Sequence, residues 1–150
     1  MADVAAHTQR FEHPYLVSYP QHEPRADDPH LPDFEEWKRR QRTQGKYRCE
    51  WGVRVNDDSE CDTDHPLEAH HRHIEFALAN GVSFSHLEAQ YPGISDPSQV
   101  GAWIDSDINL VLLCRKHHRG SGAGIHCLDA AMYEASHFVR DGVIQPVRPR

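Results

Sequence analysis

Asn109-Leu110-Val111-Leu112-Leu113-Cys114-Arg115-Lys116-His117-His118-Arg119-Gly120 is the stretch that decides how this chain reads. Ile108 to Leu113 is a nearly continuous apolar run interrupted only by Asn109, the pattern of a buried strand. A polar amide opening such a strand must satisfy its hydrogen bonds, most simply on nearby backbone. The Cys114-x-x-His117 spacing is that of half a tetrahedral zinc knuckle. A knuckle needs two more ligands, and Cys49 and Cys61 lie upstream to supply them. Ordinary buried thiols are the plain alternative. His118 sits beside the knuckle, held rigidly enough to serve a different metal.

Upstream, Leu67-Glu68-Ala69-His70-His71 reads as a second strand. A strand alternates its side chains between faces, so adjacent histidines at its end point in different directions. One can hold a metal while the other faces a substrate. Two neighbouring histidines alone carry little weight, because taken singly a surface or satisfied-core histidine is the commoner explanation. Tyr47 to Trp51 reads as a further strand, followed by the polar loop Asn56-Asp57-Asp58-Ser59.

Between the two motifs, His73 to Asn80 predicts a short helix ended by Asn80-Gly81. Ser85 with Glu88 predicts another running to about Tyr91, and Asp96-Pro97 a third through Val100, Trp103 and Ile104. Downstream, a glycine-rich loop spans 120–124, and Asp129 caps a helix carrying Met132, Tyr133, Phe138 and Val139 that closes near Gly142. Before Cys49, Asp33 with Glu36 makes a capping box for a basic helix over 33–46, stopped by Gly45. Residues 1–32 hold Pro14, Pro20, Pro24, Pro29 and Pro32 without any period, and predict an extended or partly disordered arm. Its patch Tyr15-Leu16-Val17-Ser18-Tyr19 could dock on the domain. Residues 143–150 form a tail. The arm's His7, His13, His22 and His30 are irregularly spaced and receive no role, while Trp51 and Trp103 read as core and Cys127 as a buried thiol.

Composition narrows the class. With 38% hydrophobic and 26% charged residues in a chain of 150, one thin-cored domain fits, of the kind that a metal often stabilises. No apolar run approaches the roughly 20 residues of a membrane span, and Met1 to His7 lacks the pattern of a secretory signal. An intracellular, cytoplasmic setting is therefore expected, where four cysteines are better suited to metal than to disulfides. The net charge of -7 argues against a generic nucleic-acid coat, yet the charge is segregated. Glu50 to Leu110 carries twelve acidic residues against Arg54 and Arg72, whereas Lys38, Arg39, Arg40, Arg42, Lys46 and Arg48 follow one another with no acid between. Arg115, Lys116 and Arg119 form a second basic group. Together these groups could track a phosphate backbone; solvated helix faces are the alternative.

Taken jointly, the motifs resemble the HNH endonucleases, the ββα-metal or His-Me finger nucleases, of the variety common in phage and actinobacterial sequences. The resemblance runs over Leu67 to His71, Ile108 to Gly120, Gly124-Ile125-His126 and Tyr133 to Val139, within about residues 47–140. It implies an α+β fold: a small ββα-metal finger with a zinc knuckle, flanking helices and a helical insertion over 76–107, inside a nuclease domain over 47–142. It further implies that His70 and His118 bind one catalytic divalent cation (Mg, Mn, Ni or Zn), that His71 is the general base, and that Asn109 fixes the loop orienting His71. A structural zinc would sit on Cys49, Cys61, Cys114 and His117. Products would carry a 5′-phosphate and a 3′-hydroxyl. Departures from the family pattern leave alternatives open. The Cys49-x11-Cys61 spacing allows Asp62, Asp64 or His65 as a ligand instead, and His73 competes with His71 as base. His126 could be an extra metal or phosphate ligand, or a polar loop residue.

The expected function is thus metal-dependent hydrolysis of DNA, with Lys38, Arg39, Arg40, Arg42, Lys46, Arg115, Lys116, Arg119 and His126 facing the nucleic acid and no membrane partner. Two other classes compete. One is a catalytically silent, zinc-stabilised DNA-binding or assembly module; the other is a structural part of a larger machine such as a phage packaging complex, where acidity and an arm suit protein partners.

Overall fold

A computed structural model describes residues 4–6, 8–12 and 16–147. The chain is a small mixed helix-and-strand protein built on a two-stranded antiparallel sheet. Its first helix, α1, spans Leu31–Thr43, two residues earlier than the capping box predicts. Pro32 occupies the first turn, where a missing amide donor costs nothing. Asp33 does not cap; its carboxylate meets the His30 ring nitrogen at 3.0 Å, and Glu36 pairs with Arg39 instead. Gly45, at φ +69°, ends the turn beyond the helix as expected.

The strand expected over Tyr47 to Trp51 is not formed. Cys49 is extended and leads directly into helix α2, Glu50–Val55, which stops at Asn56 in the left-handed conformation. The alternation of Tyr47, Cys49 and Trp51 reflects the demands of a side-chain cluster rather than a pleat. Helical geometry carries Trp51 over His117, with ring centroids 4.2 Å apart, and buries Cys49 beside Leu113 and Cys114.

Strand β1, Glu68–His71, pairs antiparallel with β2, Leu110–Leu113, so that His70 faces Val111 and His71 faces Leu110. Ile108 is half exposed, and the second strand begins only after Asn109. Period-two alternation sorts the sheet into two faces. Leu110 and Leu112 pack with Ala69 against Phe34 and the buried Trp37 of α1. The Trp37 indole N–H donates to Asp107 at 2.6 Å, which pins α1 to the turn entering β2. The opposite face presents Leu113 and Val111 to Cys49, Cys61, Cys114 and Ile125. Helix α5, Arg115–Arg119, follows β2 at once, with Cys114 as its N-cap.

The chain between the strands makes its own apolar cluster from Leu87, Val100, Trp103 and Ile104, with Ile74, Phe76 and Tyr91 around it. Helix α3, Phe84–Gln90, is capped by Ser83 rather than Ser85, and α4, Pro97–Ile104, by Asp96 as its sequence requires. Over Phe76–Gly81 the chain forms a 3-10 turn in place of the expected α-helix. Helix α6, Ala130–Ala135, is capped by Asp129, but it ends well before Gly142 and leaves Phe138 77% exposed. The Ser136 hydroxyl donates to the Tyr133 carbonyl there, an alternative to a further helical turn. Cys127 is exposed, not buried.

The proline-rich arm divides in two. Leu16 is 99% exposed and Val17 and Tyr19 are exposed, so the described part of the apolar patch does not dock; Tyr15, like His7 and His13, lies outside the described residues. From Gln21 onward the chain is held. The Asn80 amide donates to the Gln21 carbonyl at 2.8 Å, His22 meets Phe76 edge-on, and a 3-10 turn over Arg25–Asp27 precedes α1.

Because Trp37 joins α1 to the sheet through both burial and a hydrogen bond, Trp37→Ala should lower unfolding free energy by about 3–5 kcal/mol. Urea denaturation measures this; a loss below about 1 kcal/mol would mean that α1 is not part of the sheet's core.

Candidate metal centre

Two groups of metal-ligating side chains lie on the same face of the sheet. The first contains Cys49, Cys61, Cys114 and His117, whose ligand atoms all lie within 4.8 Å of one another. His117 Nδ1 is 3.7 Å from Cys49 Sγ, 3.8 Å from Cys61 Sγ and 3.2 Å from Cys114 Sγ. Ligand lengths of about 2.3 Å for Zn–S and 2.0 Å for Zn–N put tetrahedral donor atoms roughly 3.5 Å apart, so the spacing suits one such ion. Four separate elements deliver the ligands: the entry to α2, the loop after it, the end of β2 and the first turn of α5. Asp62 and His65, the competing ligands, pair with each other at 2.9 Å outside the group; Asp64 has no place in it either.

The electrostatics favour an ion. Burial pushes the Cys49 and Cys61 thiols up, and the neighbouring thiols push Cys61 further, because thiolates so close repel. A divalent cation reverses both effects by neutralising the charge. Burial likewise lowers His117 to about 4, leaving a neutral imidazole ready to ligate. Trp51 lies flat against that ring, with an interplanar angle of 6°, and fixes its plane. This Cys3His cluster could hold a structural metal such as zinc.

The second group contains His70, His118 and His126. Their ring centroids are 4.8 to 5.2 Å apart. His118 Nε2 and His126 Nε2 approach to 3.0 Å, which matches the roughly 2.9–3.4 Å expected of two imidazoles on one cation. Glu68 meets His118 Nδ1 at 3.3 Å and Arg119 at 2.8 Å. A proton held on Nδ1 by that carboxylate leaves Nε2 free as a ligand. His70 is buried, and the lost solvation, with the neighbouring histidines, lowers it to about 3. The sequence left His126 open between ligand and loop residue; the structure brings it to the other two. In the sequence Glu68 is only a strand residue, since nothing local signals its contact with a helix fifty positions on.

His71 lies on the other face of β1. Its ring stacks on Phe34 at 5.8 Å, and Nε2 meets Asp105 Oδ1 at 3.1 Å. Asn109 is fully buried and ties the chain just beyond His71. Its Oδ1 accepts from the His73 and Ile74 amides, while Nδ2 donates to the Ile74 and Ile104 carbonyls. His73, the competing base, turns toward Tyr91 and Trp103 instead.

The basic residues are largely engaged within the chain. Lys38 pairs with Glu35, Arg39 with Glu36, Lys116 with Glu60 and Arg119 with Glu68, while Arg115 meets His65 at 2.9 Å and Arg42 lies over Tyr47. Arg40 is half-buried and Lys46 exposed on and just beyond α1. None of the described helices is long and apolar enough to cross a membrane.

No family model, characterised protein or solved structure matches this chain. Its function therefore has to be argued from the geometry.

Acid should destabilise this centre. In the unfolded chain histidines take a proton near 6.5, whereas folded His70 and His117 take one only near 3 and 4. The unfolded state thus binds more protons between these limits, and stability falls as pH drops through that window. Protons also compete with any bound metal, in the same direction. The thermal midpoint should be highest at about pH 7 and decline steadily toward about pH 4; a flat profile would contradict the buried neutral imidazoles.

Proposed function

We propose that this chain is a metal-dependent endonuclease that hydrolyses DNA phosphodiester bonds, with the sheet and α5 acting as a ββα-metal finger. The observation that carries the reading is the convergence of His70, His118 and His126, with His71 as the next residue of the strand, on its other face. His70 and His118, with His126, would hold a divalent cation. When bound, such a cation supplies charge stabilisation to the phosphate and to the departing oxygen. His71 acts as general base on a water molecule. As the water oxygen bonds to phosphorus, its proton passes to the imidazole; the bond from phosphorus to the 3′-oxygen breaks, its electron pair stays on that oxygen, and solvent protonates it. The products are a 5′-phosphate and a 3′-hydroxyl. A histidine suits this work because its intrinsic pKa lies near the working pH. Asn109 holds the backbone after His71 and so limits where the ring can lie. The Cys3His cluster would bind zinc and brace α5, which carries His118. Phosphate contacts would come from Lys38, Arg40, Arg42 and Lys46 near α1, and from Arg115, Lys116 and Arg119 on α5 once they exchange their internal partners for phosphate oxygens.

That internal pairing also supports a second reading, a zinc-stabilised module that binds DNA weakly or joins a protein assembly without cutting. Plasmid cleavage separates the two. Supercoiled plasmid incubated with magnesium, manganese, nickel, zinc or EDTA should be nicked or linearised only with metal. His71→Ala should slow the conversion by about 10²-fold or more without loss of zinc. Intact plasmid in every metal, from folded and zinc-loaded wild type, would transfer the lead to the assembly module.

A further inference from the structure

Asp105 and Arg25 are charged groups beside His71 that the proposed chemistry leaves unused. The Asp105 side chain is entirely excluded from solvent, yet it receives both Arg25 and His71. Arg25 approaches it with two nitrogens, Nη1 to Oδ2 at 2.9 Å and Nη2 to Oδ1 at 2.7 Å. The guanidinium lies between two aromatic rings, 4.8 Å from the centre of Phe34 and 4.6 Å from that of Phe76, and also contacts Asp28. Phe34 is the same ring on which His71 stacks. Six residues from the arm, α1, the strand end and the helical segment therefore form one packed unit.

The donor and acceptor chemistry of that unit is restrictive. Burial alone would raise the Asp105 carboxyl, but hydrogen bonds from His71 and Arg25 outweigh it and hold the group ionised. An ionised carboxylate only accepts, and a guanidinium only donates. The His71 atom facing Asp105 is Nε2, so Nε2 must carry the proton. Nδ1 has no hydrogen-bond partner among the described residues and is not among the buried unpartnered atoms.

We propose that Asp105, clamped by Arg25, is the positioning residue of His71, fixing its proton on Nε2 and presenting Nδ1 as the atom that accepts a proton from water. The assignment rests on the nuclease reading for what Nδ1 does, but not for how the ring is held. The proline-rich arm thereby gains a task, since Arg25, itself held by Asp28, orients the carboxylate from that segment. An unclamped Asp105 could rotate toward solvent and release the imidazole.

The test uses the full-length, zinc-loaded protein with ¹⁵N-labelled histidine. In wild type, the His71 ring proton should be found on Nε2, shifted downfield and slow to exchange with water. In Asp105→Asn, which removes the charge and half the acceptors, exchange at that position should quicken by about tenfold or more. Metal-dependent cleavage should lose about 10- to 100-fold in kcat with KM little changed, the usual scale for a group that orients a catalytic one. Arg25→Gln should shift both readouts the same way by a smaller factor, and stands in if Asp105→Asn does not fold. A His71 proton on Nδ1, or an Asp105→Asn protein that exchanges and cuts as wild type does, would overturn the proposal while leaving the nuclease reading standing. Wild type that cuts nothing, yet shows the protected Nε2 proton and loses it in Asp105→Asn, would overturn the nuclease reading and uphold the role of Asp105.

Discussion

Three thiols and an imidazole brought within 4.8 Å of one another are the constraint on which this architecture depends. The apolar clusters of the protein are small and separate: Trp37 with two leucines on one face of the sheet, and Leu87, Val100, Trp103 and Ile104 among the helices between the strands. Neither cluster includes a residue of α2 or Cys61, and only Leu67, at the far end of the loop that carries Cys61, packs against the first. What joins these to the sheet is the group around Cys49, Cys114 and Leu113. Without a cation the thiols crowd one another in a buried setting that disfavours their charged form. A bound divalent ion would turn the same crowding into ligation, and its free energy of binding would become free energy of folding.

From that anchor the rest of the candidate site follows by geometry. Cys114 ends β2 and caps α5, so the one-turn helix has a fixed start, and His118 must project from its far side toward β1. Strand alternation then presents His70 to His118 and sends His71 to the opposite face. The two faces have different surroundings. One gathers neutral, desolvated imidazoles suited to a cation; the other sets a single imidazole between a phenylalanine and a buried carboxylate. Asn109, with all its amide capacity satisfied inside the protein, joins the two strands to the helical segment between them.

Much of the site was legible because its residues are close in sequence and chemically distinctive. Cys114-x-x-His117, the paired histidines and the isolated Asn109 each stand out against an apolar background, and Cys49 and Cys61 were the upstream cysteines. The fold was less legible where one pattern serves two ends. Tyr47, Cys49 and Trp51 alternate like a strand, but the Cys3His cluster claims Cys49, the ring of His117 claims Trp51, and the chain turns helical. Asp33 and Glu36 satisfy a capping box on paper, while Pro32 lets the helix begin earlier. Contacts between distant residues were not legible at all. Nothing near Arg25 announces that it will reach a carboxylate eighty positions away, and Glu68 and Asp105 resemble the other acids of an acid-rich stretch. His126 is separated from His118 by a glycine-rich loop whose closure only the folded backbone defines, through the hydrogen bond from the His126 amide to the His118 carbonyl.

One face of this small sheet gathers two groups of side chains that could hold a metal, one rich in sulfur and one made of imidazoles. Cadmium substitution followed by ¹¹³Cd NMR addresses it directly. If each group holds its own ion, two resonances are expected, one in the thiolate-rich region that Cys114→Ala removes and one in the nitrogen and oxygen region that His118→Ala removes while the first remains. A single resonance, or two that vanish together in either variant, would contradict it.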